Sequence, residues 1–153
     1  MDDFTLFFQE NYEPVRRTLA IALGSPVEAE EVTQEAFAKA LARWERVSAM
    51  QRPATWVYVV AMNHYRQQAR KRRPRMDPNT CDLTEDVIAD RLSLGHALAD
   101  LSARQRAAVV LRYQADLSMA DIAAAMRCSV GTVKATLHQA LKKLRVELDE
   151  SDR

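Results

Sequence analysis

The stretch from Asp116 to Leu148, DLSMADIAAAMRCSVGTVKATLHQALKKLRVEL, restricts the fold of this chain more than any other. Ser118 suits a helix N-cap, and Asp121 puts an acid in the first turn, where the helix dipole favours it. Ile122, Ala123 and Met126 give that helix one apolar side. Arg127-Cys128-Ser129 then makes a short break. Ser129 can cap a second, longer helix. In it Val130, Val133, Leu137, Leu141 (or Ala140), Leu144 and Leu148 recur at steps of three and four, which is one buried stripe. The opposite face carries Thr132, Lys134, Ala135, His138, Gln139 and Lys142. This pattern is a helix-turn-helix, whose second helix enters the DNA major groove. Any helical hairpin in a bundle has such a stripe, so the turn must separate the two readings. Ser129, Gly131 and Thr132 let a phosphate approach the helix N-terminal amides. Gly131 is otherwise costly inside a helix.

The rest of the chain is read as helical too. It has 153 residues, enough for one ordinary domain or two small ones. Only three glycines occur, and no alternating β-branched runs separated by hairpin turns, which argues against a sheet. Ala, Leu, Arg, Glu and Gln dominate, which predicts an all-α class. The formal charge of +1 does not by itself point to nucleic acid. Its distribution does, as the third helix shows. Cys81 and Cys128 lie far apart without a CxxC, as in a reduced cytoplasmic protein. No apolar run is long enough to span a membrane, and no signal segment opens the chain. The expected location is the cytoplasm.

A first helix is expected from about Asp3 to Leu23. Phe4, Phe8, Tyr12, Val15, Leu19 and Ala22 line one side, widened by Phe7. Pro14 should bend it, and Gly24 ends it. Ser25-Pro26-Val27-Glu28 reads as a capping box with proline at the first helical position. The helix it starts should run to about Arg46, with Ala29, Val32, Ala36, Phe37, Ala40, Leu41 and Trp44 inward. Glu31, Gln34, Glu35, Lys39 and Arg43 fall outward. From periodicity alone that face is merely solvated.

Val47 to Arg52 is a short connection, and Pro53 opens a third helix to about Arg73. Arg66, Arg70, Lys71, Arg72, Arg73 and Arg75 occur with no acid between Ala54 and Met76, and Trp56, Tyr58 and Tyr65 are interleaved. Cations beside aromatic faces suit single-stranded nucleic acid. A solvated basic helix end is the plainer alternative, but so many uncompensated cations favour an anionic partner. Asp77 to Asp90 carries acids and no basic residue, and reads as a linker between two domains. From Arg91 helical pattern resumes, with Leu94, Leu98 and Leu101 in one stripe. Ser102-Ala103-Arg104-Gln105 is a second capping box, opening a helix with Ala108, Val109, Leu111 and Arg112.

No catalytic constellation is visible. His64, His96 and His138 show no metal-ligand spacing with each other or with the cysteines. Glycine-rich phosphate loops and nucleophile elbows are missing from the sequence. No enzyme activity, cofactor or metal is expected.

Taken together, the two halves resemble a bacterial RNA polymerase sigma factor of the extracytoplasmic-function (ECF, group 4) type, over nearly the whole chain. Ala29-Glu30-Glu31-Val32-Thr33-Gln34-Glu35-Ala36-Phe37 resembles the family's core-binding segment. Pro53-Ala54-Thr55-Trp56-Val57-Tyr58-Val59-Val60-Ala61-Met62-Asn63 resembles its promoter-melting segment. Leu101-Ser102-Ala103-Arg104-Gln105-Arg106 and Gly131-Thr132-Val133-Lys134 resemble its C-terminal helix-turn-helix domain.

The resemblance implies roles that periodicity cannot supply. Residues 1–75 would form region 2, 76–90 a linker in the RNA exit channel, and 91–148 region 4. Glu31, Gln34, Glu35, Lys39 and Arg43 would bind the β′ clamp helices of core polymerase, and region 4 its β flap. Val47, Ser48 and Met50 in the loop, with Trp56, Asn63, Arg66 and Arg70, would hold the melted −10 element. A flipped base offsets its unstacking by pocket contacts. Arg112, Ser129, Thr132, Lys134, Ala135, His138 and Gln139 would meet the −35 duplex. A separate anti-sigma factor is implied as regulator, and no membrane insertion.

This chain departs from the pattern at Ala135, Thr136 and Gln139, where many relatives carry Ser or Arg. A good base contact is worth about 1–3 kcal/mol, so −35 binding is expected to be weak. Arg127 stands where glycine is common and restores a cation near the backbone. Two other functions compete. A stand-alone helix-turn-helix regulator would not need the basic aromatic helix, and would usually dimerise to read two half-sites. A small helical enzyme would need a convergent polar site.

Overall fold

Local capping chemistry starts most of the helices. α1 (Asp3–Leu23) begins at Asp2, whose carboxylate accepts the Thr5 backbone N–H at 2.7 Å. That bond holds the Asp2 carboxyl below the usual carboxylate range. The helix ends at Gly24 with φ 67°, a left-handed cap in which glycine has no Cβ penalty. Pro14 lies within α1 without ending it. α2 (Pro26–Ala42) is capped by Ser25, whose Oγ accepts from the Glu28 N–H, with proline in the first turn. The computed structural model describes residues 2–72 and 97–151, with side chains to 71 and to 145 respectively. Among these residues all regular structure is helical.

α2 stops earlier than its sequence suggests. Arg43 leaves helical geometry (φ −121°, ψ 28°), and α3 (Trp44–Ser48) starts at once. The break swings Trp44 onto Phe4 and Phe7, with ring centroids 5.4 and 5.1 Å apart. Phe37, 2% exposed, sits under Phe7, Phe8 and Tyr12 at 5.3–5.7 Å. Aromatic pairs of this kind contribute about 0.5–1.5 kcal/mol each beyond their buried area. The inward stripe of α2 is confirmed at Ala29, Val32, Ala36, Phe37 and Ala40. Leu41 is a correction: it is 58% exposed, because it lies at the end of α2 on the rim of an open groove, beyond the covered Ala40.

α4 (Pro53–Arg72) lies against α2 and contributes Val57, Tyr58, Ala61 and Met62 to the core. In the C-terminal half, α5 (Ala103–Tyr113) carries the complete Ser102/Gln105 capping box, each partner bonding the other's backbone at 3.1 Å. α6 (Met119–Met126) and α7 (Val130–Ser151) follow. The two halves pack on each other: α1 lies along α5, and α4 along α6. A single buried cluster runs through both. The acidic linker, Cys81 and Leu94 fall outside the described residues.

Candidate functional site

The helix-turn-helix forms as its sequence dictates. Ser118 Oγ accepts the Asp121 N–H at 3.1 Å, and Ser129 Oγ accepts the Thr132 N–H at 3.0 Å. Between them Arg127 is the left-handed C-cap of α6, with φ 54°. On α7, Val133, Leu137, Ala140 and Leu144 are buried. The stripe thus passes through Ala140, while Leu141 and Val130 are each 39% exposed. Val130 corrects the sequence reading. It sits at the first turn of α7, ahead of the point where that helix meets the core.

Ser129, Thr132, Lys134, Ala135, His138 and Gln139 are all exposed on the outer side of α7. The Ser129 and Thr132 hydroxyls lie 2.9 Å apart, so both are already oriented. Gly131 is also exposed, and a Cβ built there would meet only Ser129 Oγ, at 3.7 Å. The fold itself therefore does not require glycine at this position. Arg112 is placed differently from these residues. It is half-buried, and its Nη1 donates at 2.9 Å to the carbonyl of Leu117, bracing the turn before α6.

The outer face of α2 presents Glu31, Gln34 and Arg43 to solvent, with Glu35 and Lys39 half-buried. Glu35 and Lys39 approach to 3.9 Å one helical turn apart. Beside Gln34 runs an open groove of about 270 Å³ lined by Phe4, Phe8, Tyr12, Phe37, Ala38 and Leu41. Sequence reasoning missed this groove. It counted Phe8 and Leu41 as core, and the only hint was the surplus of aromatics on α1.

The candidate melting residues are more dispersed than expected. Val47 is 0% exposed and belongs to the core: α3 turns it inward, so it presents no side chain to a base. Ser48 is exposed, and its hydroxyl donates to the Glu45 carbonyl at 3.2 Å. Met50 and Trp56 are half-buried. Tyr58 corrects the expected aromatic face of α4. It is 6% exposed and hydrogen-bonded to Thr18, and burial pushes its phenol up from the ordinary value. Asn63 and Arg66 are half-buried on the side of α4 that meets α6, whereas Arg70 is exposed. Asn63 Oδ1 accepts from Arg127 Nε at 3.2 Å, and Arg66 donates to the Met126 carbonyl.

Two packed helical halves, one of them carrying a helix-turn-helix, are the architecture of a DNA-binding protein. Comparison with known proteins sharpens this class. Residues 7–75 match the model of sigma-70 region 2, and residues 91–144 that of sigma-70 region 4. The chain is 32% identical to the RNA polymerase sigma-E factor of Streptomyces antibioticus, over 98% of this chain and 87% of that protein. It is 35% identical to the ECF RNA polymerase sigma factor SigL of Mycobacterium tuberculosis, over 83% and 78% respectively. Its fold matches the sigma factor RpoE in the co-crystal structure with the anti-sigma factor NepR from Bartonella quintana. The TM-score is 0.72 at 22% identity, covering 97% of this chain and 98% of that one. The chain belongs to the sigma-70 family, in its ECF branch. It directs RNA polymerase to promoters, and the stand-alone regulator is not favoured.

Proposed function

We propose that the work of this sigma factor is divided among three surfaces. The outer face of α2, with Glu31, Gln34, Glu35, Lys39 and Arg43, docks on the β′ clamp helices of core polymerase. The apolar groove beside Gln34 receives side chains of the same partner, since contiguous exposed apolar surface marks interaction sites. On α7, Ser129, Thr132, Lys134, Ala135, His138 and Gln139 meet the −35 duplex, while Arg112 acts by bracing the turn. Ser48, Met50, Trp56, Asn63, Arg66 and Arg70 hold the melted −10 strand.

Residues 1–75 and 91–148 serve as the two functional domains, with 76–90 as tether. The β flap takes the C-terminal half, and an anti-sigma factor is the regulator, as the RpoE–NepR pairing suggests by analogy. No described helix is long and apolar enough to cross a membrane, which supports a cytoplasmic site of action. The observation that carries the reading is α7 itself. Val133, Leu137, Ala140 and Leu144 of its inner stripe are buried, while its outer face is small, polar or basic, with a glycine the fold does not need.

Co-purification tests the assignment. The wild-type chain should capture core polymerase, and Glu35→Arg should weaken capture with an unchanged circular dichroism spectrum. Undiminished capture by the Glu35→Arg protein would remove α2 from the interface.

A further inference from the structure

Where the end of α1, α4, the start of α5 and the end of α6 meet, the helices leave a half-open cavity of about 180 Å³. Much of its wall is apolar, with Leu23, Met62 and Met126 on it. The same wall carries three cations, Arg66, Arg104 and Arg106. No carboxylate lines it among the described residues. The cations are graded in burial: Arg104 is exposed, Arg66 half-buried, and Arg106 only 2% exposed.

Arg106 is the unusual member of this set. Its Nε donates to the Ala22 carbonyl at 3.3 Å, which holds the guanidinium against the end of α1. Its Nη1 is buried and has no hydrogen-bond partner among the described residues. A buried donor left unmade is expensive, and an unpaired buried charge more so. Buried polar groups in native proteins are nearly always satisfied, so an exception calls for a reason. Beside a cavity lined by cations and no acids, the reason at hand is an anion that fills the cavity.

The walls also restrict what that anion can be. Ligand sites are mostly apolar, with a few polar groups that fix orientation. An apolar cavity of about 150 Å³ takes benzene, so one flat ring or a short aliphatic chain fits a space of this size. Free phosphate would leave the apolar wall bare and bring more charge than one buried guanidinium offsets. A monocarboxylate with an apolar body matches both parts of the wall. Its two oxygens suit the guanidinium fork, and its body covers the aliphatic side chains.

We infer that this cavity is a binding site for a small apolar monocarboxylate about the size of benzoate. The carboxylate meets Arg106 and gives Nη1 the acceptor it lacks, and the body packs on Leu23, Met62 and Met126. Arg104 adds a cation from the exposed side. Because the wall is drawn from both halves, the ligand binds only the folded chain and stabilises it by mass action. Arg66 also belongs to the proposed −10 surface, but Arg104 and Arg106 do not, and the site stands without that assignment.

Sodium benzoate is the probe, added to the full-length chain with total sodium held constant by sodium chloride. Titration calorimetry should show a single saturable site, and the thermal unfolding midpoint should rise with benzoate concentration. Benzamide keeps the shape without the charge, and inorganic phosphate keeps a charge without the body. Each should bind about tenfold more weakly or worse, as loss of a charge-assisted hydrogen bond predicts. Arg106→Met keeps most of the side-chain volume. It should lower benzoate affinity about tenfold and leave benzoate and benzamide equal. Ala103 lines the cavity from a half-buried position in the first turn of α5. Ala103→Leu should fill the space and abolish benzoate binding with an unchanged circular dichroism spectrum. The comparison of benzoate with benzamide on the wild type needs no variant to fold. Absence of saturable benzoate binding would overturn the inference. So would equal binding of benzoate and benzamide by the wild type, or undiminished binding by the Ala103→Leu protein.

Discussion

Arg106 reaches from α5 to α1 and donates its Nε hydrogen to the carbonyl of Ala22, 3.3 Å away and 84 residues earlier in the chain. The side chain is only 2% exposed and is the largest of the fully buried ones among the described residues. Its stem fills the seam between the halves, while its Nη1 has no hydrogen-bond partner among the described residues. Volume and charge therefore pull in opposite directions at this site.

Substitutions at Arg106 should separate those two effects. Arg106→Ala leaves a hole and should cost about 3 kcal/mol of unfolding free energy, as large-to-small core changes do. Arg106→Met keeps most of the volume and removes the buried charge, so its cost should stay below about 1.5 kcal/mol. Urea denaturation of both proteins is the measurement. Equal losses would show that the guanidinium, not the packing, is what the seam needs.

Tyr58 gives the fold an alkaline weakness. Burial raises its pKa, while the hydrogen bond with Thr18 works weakly against that shift. The folded state then binds the phenolic proton more tightly than the unfolded chain does. Its contribution is complete below the unfolded value of about 10 and is lost as pH rises through the folded value. Tyr58→Phe should cost about 1 kcal/mol near neutrality through the lost hydrogen bond. Above about pH 10 the wild type should lose stability more steeply than the variant. Parallel slopes in denaturation experiments across that range would contradict the burial of a neutral phenol.

Gly131 separates folding from DNA contact. A methyl group there has room, and alanine is the better helix former. Gly131→Ala should raise stability by about 0.5 kcal/mol or leave it unchanged. It should nevertheless weaken −35 duplex binding by holoenzyme, because the added Cβ stands where the proposed reading brings a phosphate to the start of α7. Thermal unfolding and a filter-binding titration read the two effects independently. A variant that binds duplex as well as the wild type would show that no close approach occurs at Gly131.

Much of the fold is legible in the sequence because its signals are local. The caps at Ser25, Ser102, Ser118 and Ser129 and the glycine after Leu23 each fix a boundary through one or two nearby bonds. The exposed face of α7 follows in the same way from a buried stripe of strict helical spacing. What periodicity could not supply is where a helix stops being covered. Leu41 and Val130 keep the spacing of core residues but lie in terminal turns where only the neighbouring positions Ala40 and Val133 are covered. Val47 and Tyr58 fail in the opposite sense. Each was assigned outward by its place in a motif, yet α3 and α1 give it an apolar site or a hydroxyl partner inside. The contacts of Asn63 and Arg66 with α6 join residues more than half a domain apart in sequence, and no local pattern announces them.

Permanganate footprinting of open complexes on duplex and premelted promoters tests the division between melting and docking most directly. Holoenzyme with Asn63→Ala should bind the promoter yet show little reactivity at −10 on duplex DNA. A premelted template should largely restore it, because unstacking a base, a few kcal/mol, no longer has to be offset. Lys134→Ala should instead lower occupancy on both templates alike, as its proposed role at the −35 duplex requires. If Asn63→Ala holoenzyme opens duplex promoters as the wild type does, the single-strand role of α4 is wrong.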